Sequence, residues 1–456
     1  MTEKNFLSII LAAGKGTRMK SKLPKALHKV GDKSMIQHVI DAARGAQASK
    51  QIVITGFEAD MIKTAVGAQA ECVFQEEQLG TGHAVKTAKE KISAFDGSTI
   101  MVLCCDTPLL TASLLAQLYE HHISSNAKAT ILTALAPDPT GYGRIIRDSN
   151  DLVSKIVEHK DASSLELQVN EINTGIYCFE KNELLEALDS LTCNNANKEY
   201  YLTDVIGMFR NKNLPVVSTI SPCFEETLGI NSRLQLAEAE KFFNRRKLLS
   251  LLDDGVTILD LDSVFISPEA TIGQDTIIHP FTFIEGNTVI GSNCQIGPNT
   301  KIDNSFIGDG VYIYFSYLNE CKIKNNVKVG PYVQIRPDSV LEDNAKIGNF
   351  VEIKNSIIGE DSKVPHLSYI GDTDMGKKVN IGSGTITVNY DGKNKSRTTI
   401  KDMAFIGCNC NLIAPVVIEE GAFIGAGSTI TKNVTAWSLA VERSNLKCIK
   451  DWRKPK

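Results

Sequence analysis

From residue 264 to residue 436 the chain sets an aliphatic side chain at every sixth position. The series runs Ile266, Ile272, Ile278, Ile284, Ile290, Ile296 and Ile302, then resumes with Ile307 and Ile313. It returns as Ile323, Val329, Ile335, Leu341, Ile347 and Ile353, continues through Ile358, Val364 and Ile370, and closes with Ile400, Ile406, Leu412, Ile418, Ile424 and Ile430. A period of six fits neither the roughly 3.6-residue turn of a helix nor the alternation of a simple strand. It fits short strands joined by tight turns, each coil repeating the last, which is the hexapeptide signature of a parallel β-helix. Gly follows many rungs, as in Ile272-Gly273, Ile290-Gly291 and Ile406-Gly407, and is expected to free the backbone for the corner. The ladder slips by five at Ile302–Ile307 and Ile353–Ile358. It breaks after Ile381, leaving 384–399 as an insert without a rung.

The first half has a different rhythm. Short apolar runs predict strands at Ser8–Ala13, Gln51–Thr55, Glu71–Phe74, Thr99–Cys104, Thr130–Leu135 and Ile176–Phe179. Helical spacing appears between them at Ile36, Val39, Ile40 and Ala43, over Gly82–Lys91, at Leu114, Leu115 and Leu118, and at Leu184, Leu185 and Leu188. Such alternation means βαβ units, a mainly parallel sheet with helices on both faces, and ligands at the carboxyl ends of the strands. Ser232 to Leu252 carries Leu234, Leu236, Ala237, Phe242, Leu248 and Leu252 among charges and reads as a long amphipathic helix, a rigid arm ending at Asp253-Asp254-Gly255. The expected organisation is a Rossmann-like α/β domain over 1–230, a linker helix over 231–253 and a β-helix over 254–456.

Composition narrows the function classes. The 456 residues suit two or three domains, and 43% hydrophobic with 22% charged residues describes a globular protein. A net charge of -4 gives no electrostatic reason for nucleic acid or an anionic membrane as a partner. No apolar run is long enough for membrane insertion, and Phe6–Ala13 passes straight into Gly14-Lys15-Gly16 as a buried strand would. Eleven scattered cysteines without a CxxC pair suit a reducing cytoplasm. Cys408-x-Cys410 lacks the spacing of a structural zinc site and reads as two ordinary thiols.

Three motifs follow predicted strands of the first half. Leu11-Ala12-Ala13-Gly14-Lys15-Gly16-Thr17-Arg18-Met19, then Pro24-Lys25, offers backbone N–H groups and two cations to phosphate oxygens. Gln75 through Gly80-Thr81-Gly82-His83 is a polar, glycine-containing approach to a helix, with His83 read as structural. Asp106 ends the apolar Ile100–Leu103 run and suits magnesium held by few protein oxygens plus substrate phosphates. The first motif matches L-x-x-G-x-G-T-x-M…P-K, and the chain here resembles the sugar-phosphate nucleotidyltransferases. That resemblance implies that Arg18 and Lys25 neutralise a triphosphate, that Gln75, Gly80 and Thr81 read uracil, and that Asp106 and Asn231 ligate Mg2+. Cys105 stands where the family often has Gly. Gly141–Ile145, Ile156–Asp161 and Glu171–Gly175 each read alone as polar loops. Together they resemble the sugar pocket of N-acetylglucosamine-1-phosphate uridylyltransferases, with Gly143, Glu158 and Asn173 as contacts. Leu11, Ala12, Ala13, Gly14 and Cys104 complete the UTP and UDP-N-acetylglucosamine contacts so implied.

A regular β-helix needs no histidine or arginine clusters, so its interruptions are where chemistry is sought. His366 lies between the Ile353 slip and the insert, and its near-neutral pKa range suits removal of a proton from an amine. Arg336-Pro337, Gly348–Lys354, His366–Asp372, Asn380-Ile381-Gly382 and Asn389-Tyr390-Asp391-Gly392 resemble the acetyltransferase half of the bifunctional bacterial enzymes that make UDP-N-acetylglucosamine for peptidoglycan and lipopolysaccharide. The resemblance spans essentially the whole chain. It implies His366 as general base, Arg336 and Lys354 on the phosphate of glucosamine 1-phosphate, and Tyr369 and Asn380 on its sugar. It also implies Ser383, Asn389, Tyr390, Cys408, Ala426 and Arg443 on acetyl-CoA, with Cys408 where Ser is common. A left-handed β-helix, a homotrimer and a cytoplasmic location follow from the same likeness. Two other readings stand beside it: a single-function nucleotidyltransferase whose coil only assembles subunits, and an acyltransferase with a degenerate first domain.

Overall fold

The computed structural model describes residues 4–195, 197–450, 452 and 453. The chain divides into two units, residues 1–243 and 244–456. The first is built on a sheet whose main path runs Val216–Ile220, Ala129–Leu135, Glu171–Glu180, Thr99–Cys104, Phe6–Ala12, Lys50–Thr55, Glu71–Phe74. Along this path neighbours pair parallel, except that Glu171–Glu180 runs antiparallel to both of its own. The hairpin of Arg144–Arg147 and Val153–Val157 joins where Ile172 pairs with Arg144. Strand alternation sends Leu7, Ile9, Ile100 and Val102 into one buried cluster and Phe6, Ile10, Met101 and Leu103 into another on the opposite face. Helix Met35–Gly45 and helix Ala112–Ser124 cover the second face, with Ile36, Val39, Leu114 and Leu118 buried against it. The first strand is apolar at every position but Ser8 because both of its faces are covered.

Several elements depart from the sequence pattern. The helix predicted over Gly82–Lys91 is two, Thr81–Thr87 and Lys89–Ser93, parted at Ala88. Residues of the segments that read as polar loops, Arg144–Ile145 and Glu171–Asn173, are strand, because Ile145 and Ile172 are buried. A register shift between Asn173 and Ile176 re-aims the polar residues there. The Arg233–Asp253 helix forms, yet Leu234 and Phe242 are 70% and 39% exposed, so no single apolar stripe runs its length. Its buried positions include a polar one. Asn244 donates to the Val264 carbonyl at 2.8 Å and accepts from the Ile266 N–H at 3.1 Å, closing the first coil of the second unit.

The second unit is a left-handed parallel β-helix with three sheets of 11, 10 and 9 strands. One coil takes 16 to 18 residues, and 25 where a loop is extruded: Ile278 pairs with Ile296, Ile296 with Ile313, Ile313 with Val329, and Ile381 with Ile406. The ladder residues are buried in one continuous core. Leu318 and Met375 supply rungs that a strict count of six passes over.

Two sequence expectations for the coil are corrected. The glycines after the rungs mostly keep negative φ; Gly297, at φ 95°, is an exception. What they supply is room: a Cβ on Gly382 would sit 2.5 Å from the Cys408 nitrogen, and one on Gly407 2.5 Å from that of Ala426. The left-handed corner falls two residues later, at Phe350, Leu367, Gly384, Asn409 and Gly427. The break after Ile381 is also smaller than the ladder suggests. Ile386–Val388 is a strand whose inward residue, Thr387, is fully buried, and Thr398–Ile400 is the next. Thr387 Oγ1 accepts from the Gly371 N–H at 2.7 Å, so a hydroxyl occupies the rung where an aliphatic was sought. The extruded loop is therefore residues 389–397.

Candidate active sites

In the first unit, a cavity of about 320 Å3 opens at the carboxyl ends of the central strands. Leu11, Ala12, Ala13, Gly14, Lys25, Gln75, Gly80, Thr81, Cys104 and Asp106 all line it. Gly14 faces open space, and Gly16, at φ 60°, brings the loop to within 2.6 Å of Lys25 Cβ for any added side chain. Arg18 lies on the short turn Thr17–Met19, exposed and off the cavity wall. The Lys25 ammonium reaches the Asp106 carboxylate and donates to Asn231 Oδ1 at 2.8 Å, drawing together segments over 200 residues apart. Burial pulls the Lys25 pKa down, but the charge of Asp106 and its hydrogen bond outweigh that, so it stands above the ordinary value. The Ile230 N–H donates to the Asp106 carbonyl at 2.8 Å, which fixes Asn231 beside it. Burial pushes the Cys105 thiol up to about 12 and that of Cys104 higher still, so neither is a nucleophile near neutrality.

Gly143, Glu158 and Asn173 also meet. A Cβ on Gly143 would lie 3.5 Å from Asn173 Cβ and 3.6 Å from Glu158 Oε1, and the Asn173 N–H donates to the Gly143 carbonyl at 2.8 Å. The Tyr177 hydroxyl donates to Asn173 Oδ1 at 2.9 Å. Burial raises the Glu158 pKa despite a long hydrogen bond from Thr203.

In the second unit six of the predicted residues fall into two columns. The residue preceding each left-handed corner is Asn349, His366, Ser383, Cys408 and Ala426 on successive coils. His366 is exposed, and its Nδ1 lies 2.6 Å from Asn349 Oδ1. That oxygen only accepts, so Nδ1 carries the proton and Nε2 presents its lone pair. At the far end of the adjoining strands stand Arg336 and Lys354, and the corner residue Asp372. Arg336 pairs with Glu352 at 2.8 Å, and Lys354 lies 3.7 Å from Asp372. Asp372 accepts from Asn355 at 2.5 Å and from Asn389, which ties the extruded loop to the coil. Burial alone would raise its carboxyl pKa, but those amides and Lys354 hold it below the ordinary value. Tyr369 is outward and half-buried, 3.4 Å from the Asn389 amide nitrogen, while Asn380 lies on the neighbouring face opposite Lys363. Tyr390 and Arg443 are exposed, Tyr390 donating to the Gly392 carbonyl.

A nucleotidyl transferase family model matches residues 7–221, and a bacterial transferase hexapeptide (six repeats) model matches 269–304, 320–355 and 397–432. The bifunctional protein GlmU of Geobacillus sp. (strain WCH70) is 52% identical over 96% of this chain and 95% of its own. Those of Clostridioides difficile (strain 630) and Bacillus subtilis (strain 168) are each 50% identical, covering 98% and 97% of this chain and 97% and 96% of their own. The chain belongs to the GlmU family. It is a bifunctional enzyme: it acetylates glucosamine 1-phosphate with acetyl-CoA and transfers UMP from UTP to the N-acetylated product. Among the described residues no helix is long and apolar enough to cross a membrane, and no group of three or more His, Cys, Asp or Glu could hold a metal.

Two further polar residues of this GlmU family chain, Asn349 and Asp372, join the site through coil spacing. Their signal is the coil length, not the period of six. Asn349 stands 17 residues before His366, and Asp372 stands 17 before Asn389. In the first unit His83, read as structural, is 2.9 Å from the amide nitrogen of Gln75.

Proposed function

We propose that residues 1–230 carry uridylyl transfer and 254–456 acetyl transfer, with acetylation first. In the coil, Arg336 and Lys354 hold the phosphate of glucosamine 1-phosphate, a natural role for paired cations. Tyr369 and Asn380 hold its sugar, and Ser383, Asn389, Tyr390, Cys408, Ala426 and Arg443 hold acetyl-CoA. His366 Nε2 takes a proton from the 2-amino group as that nitrogen attacks the thioester carbonyl; the C–S bond breaks and the CoA thiolate leaves, to be protonated by His366. No acyl-enzyme is needed.

In the first unit Gly14, Arg18 and Lys25 hold the triphosphate, Gln75, Gly80 and Thr81 meet the uracil, and Leu11, Ala12, Ala13 and Cys104 wall the nucleoside. Gly143, Glu158 and Asn173 hold N-acetylglucosamine 1-phosphate. Its phosphate oxygen attacks the α-phosphorus in line and pyrophosphate leaves. Mg2+ fits Asp106 and Asn231: two hard oxygens already converge on one cation, the Lys25 ammonium, and substrate phosphates complete such a shell. When bound it supplies charge neutralisation at the phosphates. That convergence is the observation that carries the uridylyl reading.

Hexapeptide coils suit an oligomer, and a homotrimer in the cytoplasm is proposed. An exposed apolar column supports self-association: Tyr332 stacks on Phe350 at 5.2 Å, and Phe281, Tyr332, Phe350 and Leu367 are each more than half exposed. The test is to incubate the protein with glucosamine 1-phosphate, acetyl-CoA, UTP and magnesium, omitting each in turn. Free CoA forming without UTP, and UDP-sugar forming from supplied N-acetylglucosamine 1-phosphate without acetyl-CoA, support the two-site division. Loss of both when only one half is altered sinks it.

A further inference from the structure

The side chain of Gln75 is anchored in a direction that its neighbours impose. The residue is 2% exposed. Its Nε2 donates to the Gly80 carbonyl at 3.4 Å and lies 2.9 Å from His83 Nδ1. A carbonyl oxygen can only accept, so the Gly80 contact fixes which end of the amide is NH2. With one amide hydrogen there, the other goes to His83, whose Nδ1 is therefore the bare lone pair and whose ring proton sits on Nε2. The opposite end of the amide, Oε1, has no hydrogen-bond partner among the described residues. Gln75 lines the same cavity as Gly80 and Thr81.

We propose that His83 is the positioning residue that sets base selectivity: by accepting from Nε2 it presents Gln75 Oε1 to the nucleotide as an acceptor. This rests on the reading that Gln75 meets the base. Uracil offers an N3–H donor between two carbonyls, whereas cytosine offers a bare N3 beside an amino group. An acceptor at Oε1 pairs with the first and sets lone pair against lone pair with the second. A site built to take one polar pattern rejects the other strongly, because the mismatched groups are left unpaired. Of the two anchors His83 is the stronger, since 2.9 Å is an ordinary hydrogen bond and 3.4 Å a long one. His83 is itself placed by the fold. It sits in the first turn of helix Thr81–Thr87, and its ring lies against Tyr200 with centroids 6.2 Å apart. With His83 removed, the amide keeps one weak anchor and can turn either end to the base.

The test measures kcat/KM of the full chain for UTP and for CTP, with N-acetylglucosamine 1-phosphate and magnesium, in three variants. His83→Ala is expected to lower the UTP value about tenfold, chiefly through KM, while the CTP value holds or rises. The UTP:CTP ratio then shrinks at least tenfold. His83→Asn keeps an acceptor oxygen near the position of Nδ1 and is expected to recover most of the ratio. Gln75→Ala is expected to collapse it. A ratio that stays at the wild-type value in His83→Ala but collapses in Gln75→Ala overturns the role of His83 alone. A ratio unmoved in both overturns the base-reading role of Gln75 as well. Equal loss of UTP and CTP turnover in both His83 variants overturns the proposal too, because it marks a packing role.

Discussion

The two halves of this chain assemble their sites by opposite routes. In the first, segments remote in sequence meet because strands end side by side: Leu11–Gly16, Gln75–Thr81 and Cys104–Asp106 bound one cavity, and Lys25 crosses 206 positions to reach Asn231. In the second, partners stand one coil apart, as Asn349 and His366 do at 17 residues. The first site is a pocket whose walls depend on the whole sheet. The second is a pair of columns on the outside of the coil, one holding the exposed His366 and the other ending in the buried Asp372, with the core rungs pointing the other way. Chemistry at exposed coil positions such as His366 can therefore change without touching the packing beneath, whereas the buried Asp372 is part of that packing. Chemistry in the pocket cannot, since Gln75 and Lys25 are themselves buried or nearly so.

The sharpest break between the halves is expected from His366→Ala. Loss of a general base costs roughly 10³-fold in rate. Acetyl transfer, read as CoA thiol release, should fall by about that factor. Uridylylation of supplied N-acetylglucosamine 1-phosphate should stay within about twofold, since the hydrogen bonds of His366 lie within the second unit. Equal loss of both would end the comparison. The reverse experiment is Lys25→Ala, which leaves Asp106 and Asn231 without the cation between them. A preorganised charge aimed at phosphate is worth roughly 10²-fold, so pyrophosphate release should drop by that order while CoA release holds.

Much of this was legible in the sequence, for physical reasons that also explain what was not. A buried aliphatic at a fixed interval is visible because an apolar side chain fills most rungs of the coil interior, so the β-helix and nearly all its rungs could be read. Thr387 was not, because a hydroxyl that hydrogen-bonds Gly371 serves the interior as well as an aliphatic does. The glycines stand out in the sequence but their purpose does not, since crowding by the next coil leaves no mark in a single sequence. Gly14, Gln75 and Asp106 could be read because each follows a strand; Asn231, which follows none, is implied only by the family resemblance. Asn349 and Asp372 could not be found by stepping six, only by stepping one coil. Leu234 and Phe242 show the limit of helical spacing: apolar residues at the right interval remain exposed when nothing packs on them.

Asp372→Asn tests how far the coil's columns act on the extruded loop. The wild-type carboxylate takes amide hydrogens from Asn355 and Asn389, and an amide in its place turns a donor toward one of them. Hydrogen bonds to a charged group are worth about 2 kcal/mol, so the variant should lose about that much stability at pH 7. The pH dependence has a definite sign. The folded carboxyl titrates below its ordinary value of 3.8, so its contribution is complete above that pH and disappears as pH falls through the lower, folded value. The gap between wild type and variant in denaturant midpoint should thus close in acid. A gap that widens there would mean that the amides do not hold the carboxylate form.

The smallest effect separates the two architectures most directly. Ile347→Val and Ile9→Val each remove one methylene group from a fully buried site and should each cost about 1 kcal/mol. The consequences should spread differently. A solenoid is nearly a sum of neighbouring coils, so the cavity at Ile347 should weaken amide-exchange protection in its own coil and in those bearing Val329 and Val364, its paired rungs. Ile9 lies between Ile52 and Val102 at the centre of a cooperative sheet, and its loss should lower protection evenly from Lys50–Thr55 to Glu171–Glu180. Hydrogen exchange read peptide by peptide decides between these outcomes. If the Ile347 variant loses protection as far as Ile278 and Ile424, the coil opens as a unit, and the independence of its columns from its core goes with it.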